Sequence, residues 1–241
     1  MSVPPPDSDA TWHPGGTHSR GEDARLRILR AGLEVFATEG YEGASTRLLA
    51  RRAGVNLPAI QYYFGSKEGL YEAVVDQIAS GMESRMAPVT AEIKAALGDP
   101  PTPGVPQRPE ILALLLRMLD AFVELIMDRE SEDWESRALF FARAEIESAA
   151  ALEPLYQRVM RRIVEPCTEL VARLLNRPAE DAGTTVRALA IIGQVTIFCN
   201  RKTQRVLGCR MGAGGADTAA IQAVVREHTQ AIFSAPAGDP P

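Results

Sequence analysis

Cysteine, histidine and aromatic residues are all scarce in this chain of 241 residues. Three cysteines, Cys167, Cys199 and Cys209, build no disulfide framework, and their odd number fits a reducing compartment. The three histidines, His13, His18 and His228, make no Cys/His spacing of a zinc site. Gly-rich phosphate loops of the Walker or dinucleotide kind are missing, as is any visible set of acid and base groups. The expectation is therefore a protein that is not an enzyme and holds no cofactor or metal. Long hydrophobic runs are missing too. The longest apolar stretch, 188–199, is interrupted by Gln194 and Thr196 and is too short to cross a bilayer. Pro4, Pro5, Pro6, Asp7 and Asp9 do not make the basic and then apolar start of a signal peptide. A cytoplasmic protein with no membrane partner is expected. Val/Ile/Thr alternation of the strand kind is nearly absent.

What remains is 46% hydrophobic residues and a net charge of −5, which suits one or two folded domains and excludes disorder of the whole chain. Charge is uneven. From Arg20 to Lys67 eight basic residues face five acidic ones, so this stretch carries +3 and the remainder −8. A mildly basic block on an acidic body suits a chain of which one small part meets an anion.

Residues 1–19 lack periodicity and read as a disordered tail, as do 235–241. The stretch 98–109 holds five prolines and two glycines and reads as a loop. Gly212, Gly214 and Gly215 read as a flexible joint. Elsewhere the pattern is helical. A first helix over 22–38 carries Leu29, Leu33 and Phe36 on one face and closes at Gly40. Short helices at 46–52 and 57–64 follow, then a longer one capped by Ser66, with Leu70, Val74 and Ile78 at four-residue spacing. Pro88 is expected to end or kink it. Further helices are predicted over 110–128, 134–149, 152–176, 184–206 and 217–233. The fold class is all-α, with an N-terminal domain over 22–82 and a larger helical domain over 83–234.

The stretch 45–64 reads STRLLARRAGVNLPAIQYYF. Ser45 and Thr46 are natural N-caps for a helix burying Leu49, Ala50 and Ala53. Gly54 stands where a tight turn needs a left-handed residue. Asn56 caps the next helix, and Pro58 is tolerable in its first turn. Ile60, Phe64 and Val55 point inward, which leaves Leu57, Pro58, Gln61 and Tyr62 outside. Two short helices joined by such a turn make a helix-turn-helix, whose second helix enters the DNA major groove.

These residues carry a resemblance. Phe36…Glu39-Gly40-Tyr41, Thr46-Arg47…Ala53-Gly54-Val55 and Tyr63-Phe64-Gly65-Ser66-Lys67-Glu68-Gly69-Leu70 resemble the DNA-binding domain of TetR/AcrR-type regulators. The wording PAIQYYFGSKEGLY and Ile192-Gly193-Gln194 look like the subgroup with a CerR-type C-terminal domain. The resemblance implies a homodimeric regulator, a repressor of a palindromic double-stranded DNA operator, released by an unidentified small-molecule effector. It implies phosphate contacts for Thr46, Tyr62, Tyr63 and Lys67, with Arg47 and Asn56 in the same interface. Leu57 departs from the family's usual Lys, Arg or Ser, Pro58 from its Gly and Gln61 from its Tyr. Base reading then leans on Gln61, which pairs bidentately with adenine, or Gln61 is a solvated or phosphate-contacting residue.

For the acidic body the resemblance implies effector binding and dimerisation through the last two helices. Leu189, Ile192, Gly193 and Ile197, with Val224 and Val225, form the expected dimer face, since a helix apolar around much of its circumference packs on more than one side. Met118, Phe122, Trp134, Phe141 and Tyr156 are the candidate pocket residues, against the alternative that they are core. Arg143, Glu145, Glu147 and Arg158 are candidate polar handles or simply solvated charges. Two rival functions stay open: an all-helical binding or enzymatic protein without operator binding, and a thiol-based regulator using Cys199 or Cys209 beside their cationic neighbours.

Overall fold

The computed structural model describes residues 20–98, 107–128, 133–144, 153, 156–199, 203 and 217–234. The two tails, the middle of the Pro-rich loop, Glu145, Glu147, the Gly212–Gly215 joint, Cys209 and the Cys199 side chain lie outside them. Nine α-helices and no strand occur among the described residues. They are α1 (Arg20–Gly43), α2 (Thr46–Ala53), α3 (Leu57–Phe64), α4 (Lys67–Leu97), α5 (Arg108–Ile126), α6 (Trp134–Ala144), α7 (Arg161–Leu175), α8 (Ala182–Thr196) and α9 (Thr218–Ser234). A π-helical turn, Tyr156–Met160, leads into α7, and a 3₁₀ turn, Ile197–Cys199, closes α8.

Several boundaries differ from the sequence pattern for stateable reasons. α1 is interrupted at Gly40, whose φ of 77° and ψ of 173° are not helical, and a further turn follows to Gly43. Pro88 does not end α4, which continues to Leu97. A proline removes only one backbone donor from the ladder. Thr90 Oγ1 donates to the carbonyls of Met86 and Ala87, and burial of Met86, Val89 and Ile93 holds the last turns in place. Arg108 and Pro109, expected in the loop, start α5, because its first turn needs no proline N–H. The Gln107 N–H donates to the Glu110 carboxylate at 2.9 Å and fixes that start.

Two hydrophobic cores organise the chain. The first joins α1–α3 to the front half of α4 through Ile28, Phe36, Leu49, Ile60, Leu70 and Val74. Phe140 and Ala144 of α6 and Val159 of the π-turn belong to this same core. The second core centres on α5 and takes in the rear half of α4 with α7, α8 and α9. Met82 is partly buried against both. α9 is clamped to α5 by the two-pronged pairing of Arg226 with Asp120 and by Arg108, which donates to the Phe233 carbonyl at 2.7 Å.

Met118 and Phe122 are in this second core, 0% and 3% exposed, and so are packing residues rather than pocket lining. Their four-residue spacing serves core and pocket equally well; only the neighbours decide. Replacing Phe122 with Ala should lower the unfolding free energy by about 3–5 kcal/mol, measured by urea denaturation. A loss below about 1 kcal/mol would return Phe122 to a cavity wall.

Candidate nucleic-acid interface

α2 and α3 are held at a fixed angle by their caps. Ser45 Oγ accepts from the Leu48 N–H at 3.2 Å and starts α2. At its end Gly54 takes the left-handed conformation, φ 63° and ψ 39°. The Val55 N–H reaches the Ala50 carbonyl and the Gly54 N–H that of Arg51, the doubly bonded stop that such a residue permits. Asn56 is extended at the start of α3, but its side chain makes no capping bond, contrary to expectation. Pro58 instead pre-sets the first turn. At the far end Ser66 Oγ accepts from the Gly69 N–H at 3.1 Å and opens α4. A Cβ at Gly69 would overlap the Phe64 carbonyl oxygen, so only glycine lets α4 start this close to α3.

This frame buries Ile60 and turns Leu57, Pro58, Gln61 and Tyr62 outward together. Tyr62 is 82% exposed, an unusual position for a large ring, and meets Tyr63 edge-on at 4.9 Å. Thr46 and Tyr63 are half-buried at the edge of the same surface, and Arg47 is exposed beside them. The exposed strip thus offers an amide, a phenol and a guanidinium on one rigid helix pair. Those groups suit base edges and phosphates. Arg52, by contrast, is engaged with Glu34 at 2.7 Å.

Lys67 also has a partner within the chain. Its Nζ donates to the Tyr41 carbonyl at 3.0 Å and lies 4.3 Å from the centre of the Tyr41 ring. The ammonium therefore ties α4 to the end of α1 with one of its three N–H donors. Next to it the Tyr41 hydroxyl donates to Glu68 at 2.7 Å. That hydrogen bond, with the Glu68 backbone N–H and the Ser66 hydroxyl, pulls the Glu68 carboxyl down to about 2. Partial burial, then the Glu68 carboxylate, pushes the Tyr41 phenol up. All three residues stand in the family signature, yet their spacing does not show them as one cluster. Gly40, which breaks the helix just before Tyr41, is the signal that turns the ring toward α4.

The other expected sites are scattered. Trp134 and Phe141 line a small cavity with Ile78, Met82, Leu125, Ile126, Arg137 and Ala138, whereas Tyr156 lies outside it and is exposed. A larger open groove of about 690 Å³ runs between α4 and α7, past Met82, Met86, Ile93, Val159, Ile163 and Pro166. Sequence reading misses it, because its walls are ordinary helix positions that become a groove only where two helices diverge. Arg143 and Arg158 are both engaged within the chain, and Arg158 also lines the larger groove. Arg143 donates to the Thr38 carbonyl, and Arg158 pairs with Asp76 at 3.0 Å, binding α6 and the π-turn to the first core. Ile192 and Val225 are each 3% exposed, inside this chain's own second core, so they leave the expected dimer face. Leu189, Gly193, Ile197 and Val224 remain outside, joined by Val186. Cys167 is buried, its thiol pushed up to about 12 by desolvation, and it suits packing rather than redox chemistry.

The Tyr41–Glu68 bond has a pH signature. A carboxyl depressed in the folded state adds stability above its unfolded pKa and loses it as pH falls toward about 2. Thermal melts between about pH 5 and about pH 2.5 should therefore fall more steeply for the wild type than for Tyr41→Phe. Parallel curves would show that the bond contributes nothing to folding. Lys67→Met should lower the melting temperature at neutral pH.

Comparison with known proteins agrees with this geometry. Residues 28–74 match the model of bacterial regulatory proteins of the tetR family. Residues 112–236 match the C-terminal domain of the HTH-type transcriptional dual regulator CecR. The C-terminal domain expected to be CerR-type is thus of the CecR type. CecR of Shigella flexneri is 30% identical over 179 residues, covering 74% of this chain and 77% of that protein. The transcriptional activator FasR of Mycolicibacterium smegmatis is 27% identical, covering 74% and 73%. Among solved structures the regulator FadR of Bacillus subtilis, in complex with stearoyl-CoA, superposes with a TM-score of 0.57 at 15% identity over 85% of this chain and 97% of that one. These relatives are transcriptional regulators, not enzymes. The chain is a DNA-binding transcriptional regulator of the TetR family with a CecR-type C-terminal domain.

Proposed function

We propose that the protein is a cytoplasmic homodimeric repressor that holds a palindromic operator through α3 and leaves it when a small molecule enters the helical body. The observation that carries the reading is the pairing of two exposed surfaces on one chain: the outward strip of α3 and the apolar face of α8 and α9. Val186, Leu189 and Ile197 on α8 and its closing turn are 64%, 48% and 51% exposed, and Val224 and Ile232 on α9 are nearly half exposed. Apolar side chains at this spacing fit a second copy about a two-fold axis, giving a four-helix bundle. Two recognition helices then stand about one helical turn of DNA apart or somewhat more.

Within each half-site Gln61 reads a base, Leu57 and Pro58 give apolar contact, and Thr46, Arg47, Asn56, Tyr62 and Tyr63 meet the backbone. The N-terminal DNA-binding domain over 22–82 and the effector domain over 83–234 share α4 as their link. The larger groove supports effector binding there, as does the binding of stearoyl-CoA by the similarly folded Bacillus subtilis regulator.

Gly193 gives the sharpest test of the dimer. A Cβ there meets nothing within 4 Å in the chain itself, so Gly193→Glu should leave the subunit folded. An unpaired charge in the face should split the dimer and abolish operator binding together. Light scattering that finds an intact dimer with normal DNA binding overturns the assignment. For DNA, Arg47→Ala should weaken binding to all sequences alike and reduce the salt slope by about 1, whereas Gln61→Ala should relax preference at one base pair. Selection from random duplexes that enriches no palindrome contradicts the reading.

A further inference from the structure

Arg137 carries a buried donor with no acceptor among the described residues. It lies on α6, facing the small cavity between α6, α4 and α5. Its Nη2 group is buried and has no hydrogen-bond partner among the described residues. A guanidinium stays charged at any relevant pH and carries only donors. Leaving one of its N–H groups dry and unpaired is costly, and such a group marks either strain or a missing partner.

The surroundings say what that partner must be. Among the described residues Ile78, Met82, Leu125, Ile126, Trp134, Ala138 and Phe141 line the cavity beside Arg137, and none of them is an acid. The Trp134 indole N–H is already committed to the Ile126 carbonyl at 2.7 Å, which fixes the ring as a wall rather than a competing donor. The cavity is partly open and has a volume of about 50 Å³. That suits a group little larger than a water molecule, whose share of liquid volume is about 30 Å³. A carboxylate has that size, one negative charge and the planar fork that a guanidinium matches. A phosphate ester or nucleotide carries too much charge for one arginine among apolar walls.

Among the described residues Met82 alone lines both this cavity and the α4–α7 groove of about 690 Å³. An unbranched thioether moves aside easily. We propose that Arg137 anchors the carboxylate of an amphipathic acid whose hydrocarbon chain passes Met82 and lies along Met86, Ile93, Val159 and Ile163 in the groove. This inference rests on the reading of the body as an effector domain and names the chemical class of the effector.

The full-length protein carries two tryptophans, Trp12 and Trp134. With Trp12→Phe as background, fluorescence reports the cavity wall directly. Titration uses decanoate, with decanol, decyltrimethylammonium and acetate as comparisons. Decanoate should bind at least tenfold more tightly than each of them, acetate failing because it has no chain for the groove. Arg137→Met should bring decanoate down to the affinity of decanol, and Arg137→Lys should restore part of the difference. The free Arg137→Met protein should melt no lower than the wild type, because it loses a buried N–H group that has no acceptor among the described residues. Equal binding of decanoate and decanol, or unchanged decanoate binding in Arg137→Met, overturns the site. A lower melting temperature with binding lost overturns it as well, since Arg137 would then be structural. The two readings separate in an operator-binding assay. Decanoate that binds through Arg137 but leaves operator affinity unchanged upholds the site and contradicts effector release; release by decanol as readily as by decanoate does the reverse.

Discussion

α4 is buried in two cores at once, and the rest of the molecule depends on that sharing. Its front half gives Leu70, Tyr71, Val74, Val75 and Ile78 to the DNA-binding block, and its rear half gives Met86, Val89 and Ile93 to the body. A close-packed interior resists small displacements on either side. The same helix therefore cannot slide in one core without disturbing the other. A second tie runs parallel to it. Phe140 packs 5.3 Å from the Tyr71 ring, and Arg143 and Arg158 bind α6 and the π-turn to α1 and α4. The short, wide-wound turn at Tyr156–Met160 is of the kind found often at functional positions.

This construction gives a physical route for the proposed switch. Val159 is both a wall of the groove and a member of the DNA-binding block's core. Whatever occupies the groove touches α4, α7 and that residue directly, so no long chain of intermediates is needed. The strength of such a switch is bounded by the ligand's differential affinity for the two arrangements, typically about 1–3 kcal/mol. Rearranging one face of α4 at the groove changes where α3 points, because Gly69 and the Ser66 cap fix α3 to the start of the same helix.

Local chemistry is the legible part of the sequence. Ser45, Gly54 and Ser66 announce the start and end of α2 and the start of α4 through capping and handedness, which act over three or four residues. Helical periodicity gives the inward and outward faces of α3 for the same reason. Tertiary choices are not legible. Pro88 reads as a stop or a kink, and the burial around Met86, Val89 and Ile93 carries the helix past it despite one missing hydrogen bond. Met118 and Phe122 read as pocket or core alike, because aromatic and sulfur side chains serve both. Ile192 on α8 and Val225 on α9 read as part of a dimer face because periodicity does not say which apolar face of a helix meets its own chain. Lys67 lies in a recognisable signature, but its engagement by Tyr41 depends on a contact 26 residues away in sequence.

The claim that α4 makes one mechanical unit of the two cores is open to a direct measurement: native-state hydrogen exchange of its amides, at 70–79 and at 86–93, after a change confined to the body such as Phe122→Ala. Cooperative units are defined by amides that lose protection together. Shared burial predicts that both halves of α4 lose protection by the same free energy, although the altered side chain belongs to the second core alone. Loss confined to 86–93, with 70–79 unchanged, would mean that the helix passes through two independent units and carries no message between them.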